Sequence, residues 1–330
     1  MFQKGLWIGE AGQNFCYSIA YDGVYIYAGL YTSPAKVVKI DPVTMTTVSV
    51  WTAPTGENYC QAVVSDGFYV YAEVDTSPNK IYRLDPLTMS PVPPNWQGIS
   101  GQSYCRGLYF DGAYVYAALS VVPSQVVKIN PATMATVLTW TGSPDNQANC
   151  KKVTGDGTHI YAAHACAWNF GPLSKIDPLT MTTVSTWFPD SDQYNTYDVA
   201  FDGTYLFAAL SLTPAKVSKI DPATLTTVSV WTGASGQNLA RAVIVYGGYI
   251  YLGGTNANPR LIKIDPATMT TSDVWSDGST VLALKVGGDY FYAGLNISPA
   301  RVYQFGTEIP AAGLKAVGSI PHRLVAAGLI

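Results

Sequence analysis

Six times the chain writes a basic residue, an aliphatic one, Asp or Asn, Pro and, two places on, Thr: KIDPVT at 39–44, RLDPLT at 83–88, KINPAT at 128–133, KIDPLT at 175–180, and KIDPAT at 219–224 and 263–268. Lys, Asp and Thr held this close could move a proton or hold a substrate hydroxyl. Six copies cannot all be one active site, and turn chemistry explains the same letters. Pro presets φ for the first turn position, the Asp or Asn before it accepts backbone N–H groups two or three residues on, and Thr adds a weaker cap. The phrase is read as a hairpin turn whose basic residue pairs with the Asp two places later on the same strand face.

Five Asp-Gly pairs, at Asp22, Asp66, Asp111, Asp156 and Asp202, are also turn signals, with Gly accepting a positive φ. The two turn sets absorb ten of the 22 acidic residues. What is left offers no compact acid/base pair, nucleophile–His spacing or Gly-rich phosphate loop. The histidines, His159, His164 and His322, are scattered, and there is no Cys-x-x-Cys, so no metal-ligand pattern emerges. The expectation is a protein that is not an enzyme and uses no cofactor and no metal.

The elements that carry these turns repeat. A Gly with ring residues two and four places later recurs at Gly23, Gly67, Gly112, Gly157, Gly203, Gly247 and Gly288, spaced 44, 45, 45, 46, 44 and 41 apart. Each copy holds four short β-rich runs, as in CYSIAY, VYIYAGL, AKVVKI and TTVSVWT, here named strands A to D. Four antiparallel strands repeated seven times predict an all-β, seven-bladed β-propeller, because one blade cannot bury both faces and a closed ring can. Strand D carries a Trp at 51, 96, 140, 187, 231 and 275, and Trp7 lies in the same relation to Gly23. The chain thus begins inside a D strand, while the seventh repeat stops after strand C. The N-terminal strand, residues 2–9, is expected to complete blade seven and close the ring, giving a propeller over 1–305 and a separate tail over 306–330.

The repeat unit, Asp-Gly-x-Tyr-Ile/Val-Tyr-Ala followed by Ser-Pro-x-Lys-Val-Val-Lys-Ile-Asp-Pro-x-Thr-Met, resembles that of surface-layer (YVTN-like) seven-bladed propellers over residues 1 to about 305. The resemblance implies a binding scaffold, an inference at the level of fold.

In this topology the D–A and B–C loops share the top face, and the A–B and C–D turns share the bottom. The bottom turns are uniform and the top loops vary, which places binding on top. Strand A begins with Tyr17, Gln61, Arg106, Lys151, Tyr197, Arg241 and Leu282, near the mouth of the central channel, where Arg106, Lys151 and Arg241 could receive an acidic or polar group. The D–A loops carry a ring of amides or acids at Gln13, Glu57, Gln102, Gln147, Gln193 and Gln237, read chiefly as loop capping and secondarily as a polar rim for a glycan or peptide. Repeat four has a longer B–C connection, HACAWNFGPLS at 164–174, and its His164, Trp168 and Phe170, with Tyr194 from the neighbouring D–A loop, are candidate partner contacts. Cys16, Cys60, Cys105 and Cys150 occupy equivalent points on four A strands and are read as small buried hydrophobes.

Composition sets the classes of partner. The 330 residues are 48% hydrophobic and 12% charged with net charge −3, enough for a large core but without a basic field for nucleic acid or an anionic membrane. No apolar run is long enough to span a bilayer, and the start lacks the apolar stretch of a signal peptide. The tail is apolar at Leu314, Ile320, Leu324 and Leu329 and broken by Gly and Pro, which suits an extended assembly or anchoring element. The functional expectation is a virion or surface component that contacts protein partners or a host-surface receptor or glycan within a larger assembly. The alternative is a lectin with repeated top-face pockets.

Overall fold

A computed structural model of the chain describes residues 1–145, 147–166, 171–190, 195–254 and 261–306. Its 28 strands form seven four-stranded antiparallel sheets. Blade one is Cys16–Tyr21, Ile26–Leu30, Lys36–Asp41 and Thr46–Thr52. Blade seven is Val281–Gly287, Tyr290–Leu295, Arg301–Gly306 and, from the other end of the chain, Phe2–Ile8. Phe2 stands opposite Gly306 and Ile8 opposite Arg301, so the N-terminal strand closes the ring as expected. The A strands pack side by side around the axis, and that of blade seven lies against that of blade one.

The bottom turns behave as their residues require. Asp22 Oδ1 accepts the N–H groups of Val24 and Tyr25 at 2.8 and 2.7 Å, and its Oδ2 accepts the hydroxyl of Tyr27 at 2.7 Å. Asp66, Asp111 and Asp156 repeat all three bonds. Gly23 in this turn has φ 98°, where a Cβ would be strained. In the C–D turn Asp41 Oδ1 accepts Val43 N–H at 2.7 Å, and Met45 N–H returns to the Asp41 carbonyl at 2.9 Å.

The basic residue before that turn does not pair with its Asp, which corrects the expectation. Lys39 Nζ lies 3.8 Å from the Tyr25 ring centre and donates to the carbonyl of Pro86 in the next blade at 2.7 Å. Lys128, Lys175 and Lys219 reach Pro178, Pro222 and Pro266 in the same way, and Arg83 reaches Pro131. Blade seven uses Gln304, whose Nε2 donates to Pro42 at 2.9 Å. The reason is competition: the turn's own N–H groups take the carboxylate, and the Tyr face directs the long cation across the blade junction.

Strand-D tryptophans fill the junctions nearer the rim. Trp7, Trp96, Trp140 and Trp231 are buried, and each donates its indole N–H to a Thr hydroxyl in the next blade's D strand. Cys16, Cys60, Cys105 and Cys150 form no disulfide and are buried, as read from the sequence. Pro91, Pro93 and Pro94 lack ladder donors, and the D strand of blade two shrinks to Trp96–Gln97. The expected tail, with Leu314, Ile320, Leu324 and Leu329, lies outside the described residues.

Candidate functional site at the channel mouth

Six of the seven A strands open with a β-bulge; the short Val63–Ser65 strand of blade two pairs in regular register. The register slips between Cys16 and Ser18, Cys105 and Gly107, Cys150 and Lys152, Thr196 and Asp198, Ala240 and Ala242, and Val281 and Ala283. The unpaired residues are therefore Tyr17, Arg106, Lys151, Tyr197, Arg241 and Leu282. A bulged residue is freed from strict in-and-out alternation, so it can be aimed along the axis. These six, with Gln61 from blade two and Lys152, line one pocket of about 230 Å³. The structure thus brings together Arg106, Lys151 and Arg241, as their common place in the repeat predicts.

The cations are poorly neutralised. Arg106 Nη1 is 3.9 Å from Asp75 Oδ2, which also accepts Gln61 Nε2 at 3.0 Å. Lys151 Nζ donates to the Ser120 hydroxyl at 3.3 Å. The guanidinium of Arg241 stacks 4.0 Å from the Tyr197 ring centre, and its buried Nε has no hydrogen-bond partner. Burial, followed by the charge of Arg106 and, less strongly, of Arg241, pushes the Lys151 ammonium below its usual pKa. Tyr17 of the lining stacks on Tyr31 at 4.7 Å, and Tyr31 stacks on Tyr59 at 4.0 Å, so a three-ring ladder holds this lining residue in place.

Below the mouth the channel continues as a cavity of about 360 Å³ that holds residues the sequence reading missed: Lys152, Asp198 and Lys285. Asp198 Oδ2 accepts the Val243 N–H at 3.0 Å, joining blades five and six, and burial raises its pKa. Lys285 is lowered by burial and then by Lys152, and it has no hydrogen bond or ion pair among the described residues. The signal was available in the repeat. Positions matching Lys285 are Ala20, Val64, Tyr109, Thr154, Ala200 and Ile244, so a cation there stands out.

The repeat-four candidates fare differently. His164 ends strand B of its blade and is fully buried, so it is no surface contact, which corrects that expectation. Its Nδ1 lies 3.1 Å from Ser124 Oγ and its Nε2 3.0 Å from Ser174 Oγ, beside Trp140. Burial lowers its pKa to about 3, which leaves the ring neutral. Trp168, Phe170 and Tyr194 lie outside the described residues, as does Gln193. The remaining loop glutamines cap their own turns: Gln13, Gln102, Gln147 and Gln237 each accept a loop N–H through Oε1. Glu57 instead pairs with Lys80 and accepts the Tyr82 hydroxyl.

The site is a cation-rich, phenol-edged opening on the axis of a seven-bladed β-propeller. No model of a known protein family matches the chain, and no curated protein matches it in sequence. The surface-layer likeness therefore remains one of repeat phrasing.

Proposed function

We propose that the protein is a non-enzymatic binding scaffold, a component of a virion or other surface assembly that meets protein partners through its top face. One observation carries this reading: six bulges turn side chains into a single axial opening, while the turn residues of the opposite face are spent on bonds within and between blades. A rigid ring with one irregular face suits a docking module. In this reading the segment 307–330 serves as the assembly element, because it follows a sheet already complete at Gly306 and is acid-free after Glu308.

The lectin alternative draws less support. Repeated sugar pockets need open ring faces, and six of the seven strand-D tryptophans that could supply them, all but Trp275, are buried in the core.

Hydroxyl-radical footprinting of the assembly from its native source tests the scaffold reading. Protection of top-face loops relative to the isolated protein is the expected result, and protection confined to the outer D strands would overturn it. A glycan array with calorimetric stoichiometry addresses the alternative: binding of several glycans per chain would favour a lectin.

A further inference from the structure

We propose that the channel mouth binds a carboxylate of an acidic protein segment, held by Arg241, Lys151 and Arg106. This inference rests on the scaffold reading above and names the chemistry its axial site would recognise.

Charge is the first argument. Arg106, Lys151, Lys152, Arg241 and Lys285 line the mouth and the channel beneath it, against Asp198 as the acidic lining residue. This concentration occurs in a chain of net charge −3. Low-dielectric walls focus such a field and draw an anion along the axis.

Unused bonding capacity is the second. Arg241 has a buried Nε without an acceptor and no ion pair among the described residues. Asp75 stands at 3.9 Å from Arg106, too far for a hydrogen bond. An incoming carboxylate would supply both the missing acceptor and the counter-charge, and guanidinium–carboxylate bonds are among the stronger polar contacts. Burial is the main cause of the lowered Lys151 pKa, and the carboxylate would offset the lesser one, repulsion from Arg106 and Arg241.

Shape decides the class of ligand. About 230 Å³ admits a side chain or chain end and falls below the usual range for a drug-sized ligand. Tyr17 has one face covered by Tyr31 and Tyr197 one face covered by Arg241, so the mouth offers guanidinium and hydroxyl edges more than ring platforms for a sugar.

The test is calorimetry on the full chain with a blocked Gly-Glu-Glu-Gly peptide, its Gly-Gln-Gln-Gly counterpart and glucuronate. The acidic peptide is expected to bind one per chain, weakening with added salt, with the Gln peptide down by about ten-fold or more. Arg241→Gln and Lys151→Gln should each cost a similar factor at unchanged melting temperature. Arg241→Lys, which keeps the charge but not the fork, provides a gentler variant should the first disturb folding, and should fall between. Lys36→Gln, whose Nζ instead caps the Gly12 carbonyl, should bind as wild type. Equal binding of both peptides, glucuronate binding without peptide binding, or no binding of the acidic peptide would each overturn the proposal. The two readings fail separately. Top-face protection in the native assembly with undiminished incorporation of Arg241→Gln/Lys151→Gln would remove only the carboxylate site, whereas an unprotected top face would remove the scaffold reading itself.

Discussion

Trp7 Nε1 donates to Thr47 Oγ1 at 2.9 Å, and this pair joins the first strand of the chain to the last strand of blade one. The same bond recurs from Trp140 to Thr183, Trp187 to Thr227 and Trp231 to Thr271. The closing junction is therefore built like the internal ones, although its sheet is assembled from both ends of the chain. Loss of either end strand should open the ring as a whole.

Deleting residues 1–9 removes strand D of blade seven together with buried Trp7. The Trp7→Ala change alone should cost about 3–5 kcal/mol, and the deletion more. Thermal and urea unfolding of both variants check this, and a melting temperature equal to wild type in the deletion would contradict the closure.

Asp221→Ala removes the acceptor that holds the Ala223 N–H at 2.8 Å in a C–D turn. The expected loss is about 1 kcal/mol of stability, as for other small capping bonds. Peptide affinity at the channel mouth should be unchanged, since this turn lies on the opposite face. Reduced affinity with wild-type stability would give the phrase a functional role after all.

Trp231→Phe and Trp51→Phe form a matched pair. Trp231 bonds Thr271, while the residue at the corresponding place for Trp51 is Pro91, which has no hydroxyl, and Trp51 leans on Tyr82 at 5.0 Å. Both lose some packing, but only the first abandons a hydrogen bond, so it should be about 1 kcal/mol more costly. Equal losses in chemical unfolding would show that the indole bond adds nothing net.

Two buried groups give stability opposite slopes with pH. Burial raises Glu73 to about 8 despite hydrogen bonds from Asn79 and the Gln61 N–H. Between its unfolded value near 4.5 and about 8 the native state holds the extra proton, so stability falls as pH rises. His164, lowered to about 3, does the reverse: between about 3 and 6.5 the unfolded state binds the proton, so stability rises with pH. Each slope approaches about 1.4 kcal/mol per pH unit. Their effects oppose between pH 4.5 and 6.5, and of this pair only Glu73 contributes a fall above pH 6.5. Glu73→Gln should flatten that fall in urea titrations at pH 6.5 and 8, and an unchanged slope would count against a buried acid there.

The fold was legible because its signals are local and repeat. Asp-Gly, Asp-Pro and the strand-D Trp each specify something within a few residues, and seven copies remove ambiguity about register. The mouth was legible for the same reason, since Arg106, Lys151 and Arg241 share one place in the repeat. Lys39 was misassigned because Asp41 is near in sequence, whereas the ring places Pro86 within reach and the turn backbone has already engaged the carboxylate. His164 was misassigned because its odd loop drew notice, yet its repeat position holds Leu30, Leu119, Leu210 and Leu295, all buried. A unique residue at an apolar position belongs to the core before it belongs to a site.

The placing of Arg301–Gly306 between Tyr290–Leu295 and Phe2–Ile8 has a mechanical consequence. Tension applied to the chain beyond Gly306 enters a strand gripped on both sides by antiparallel neighbours, with partners from Leu295 to Phe291 on one side and from Ile8 to Phe2 on the other. A pull along that strand loads the two ladders in shear, so their bonds share the force instead of opening one after another. A propeller tethered by this end would hold its ring under drag that would peel an edge strand away.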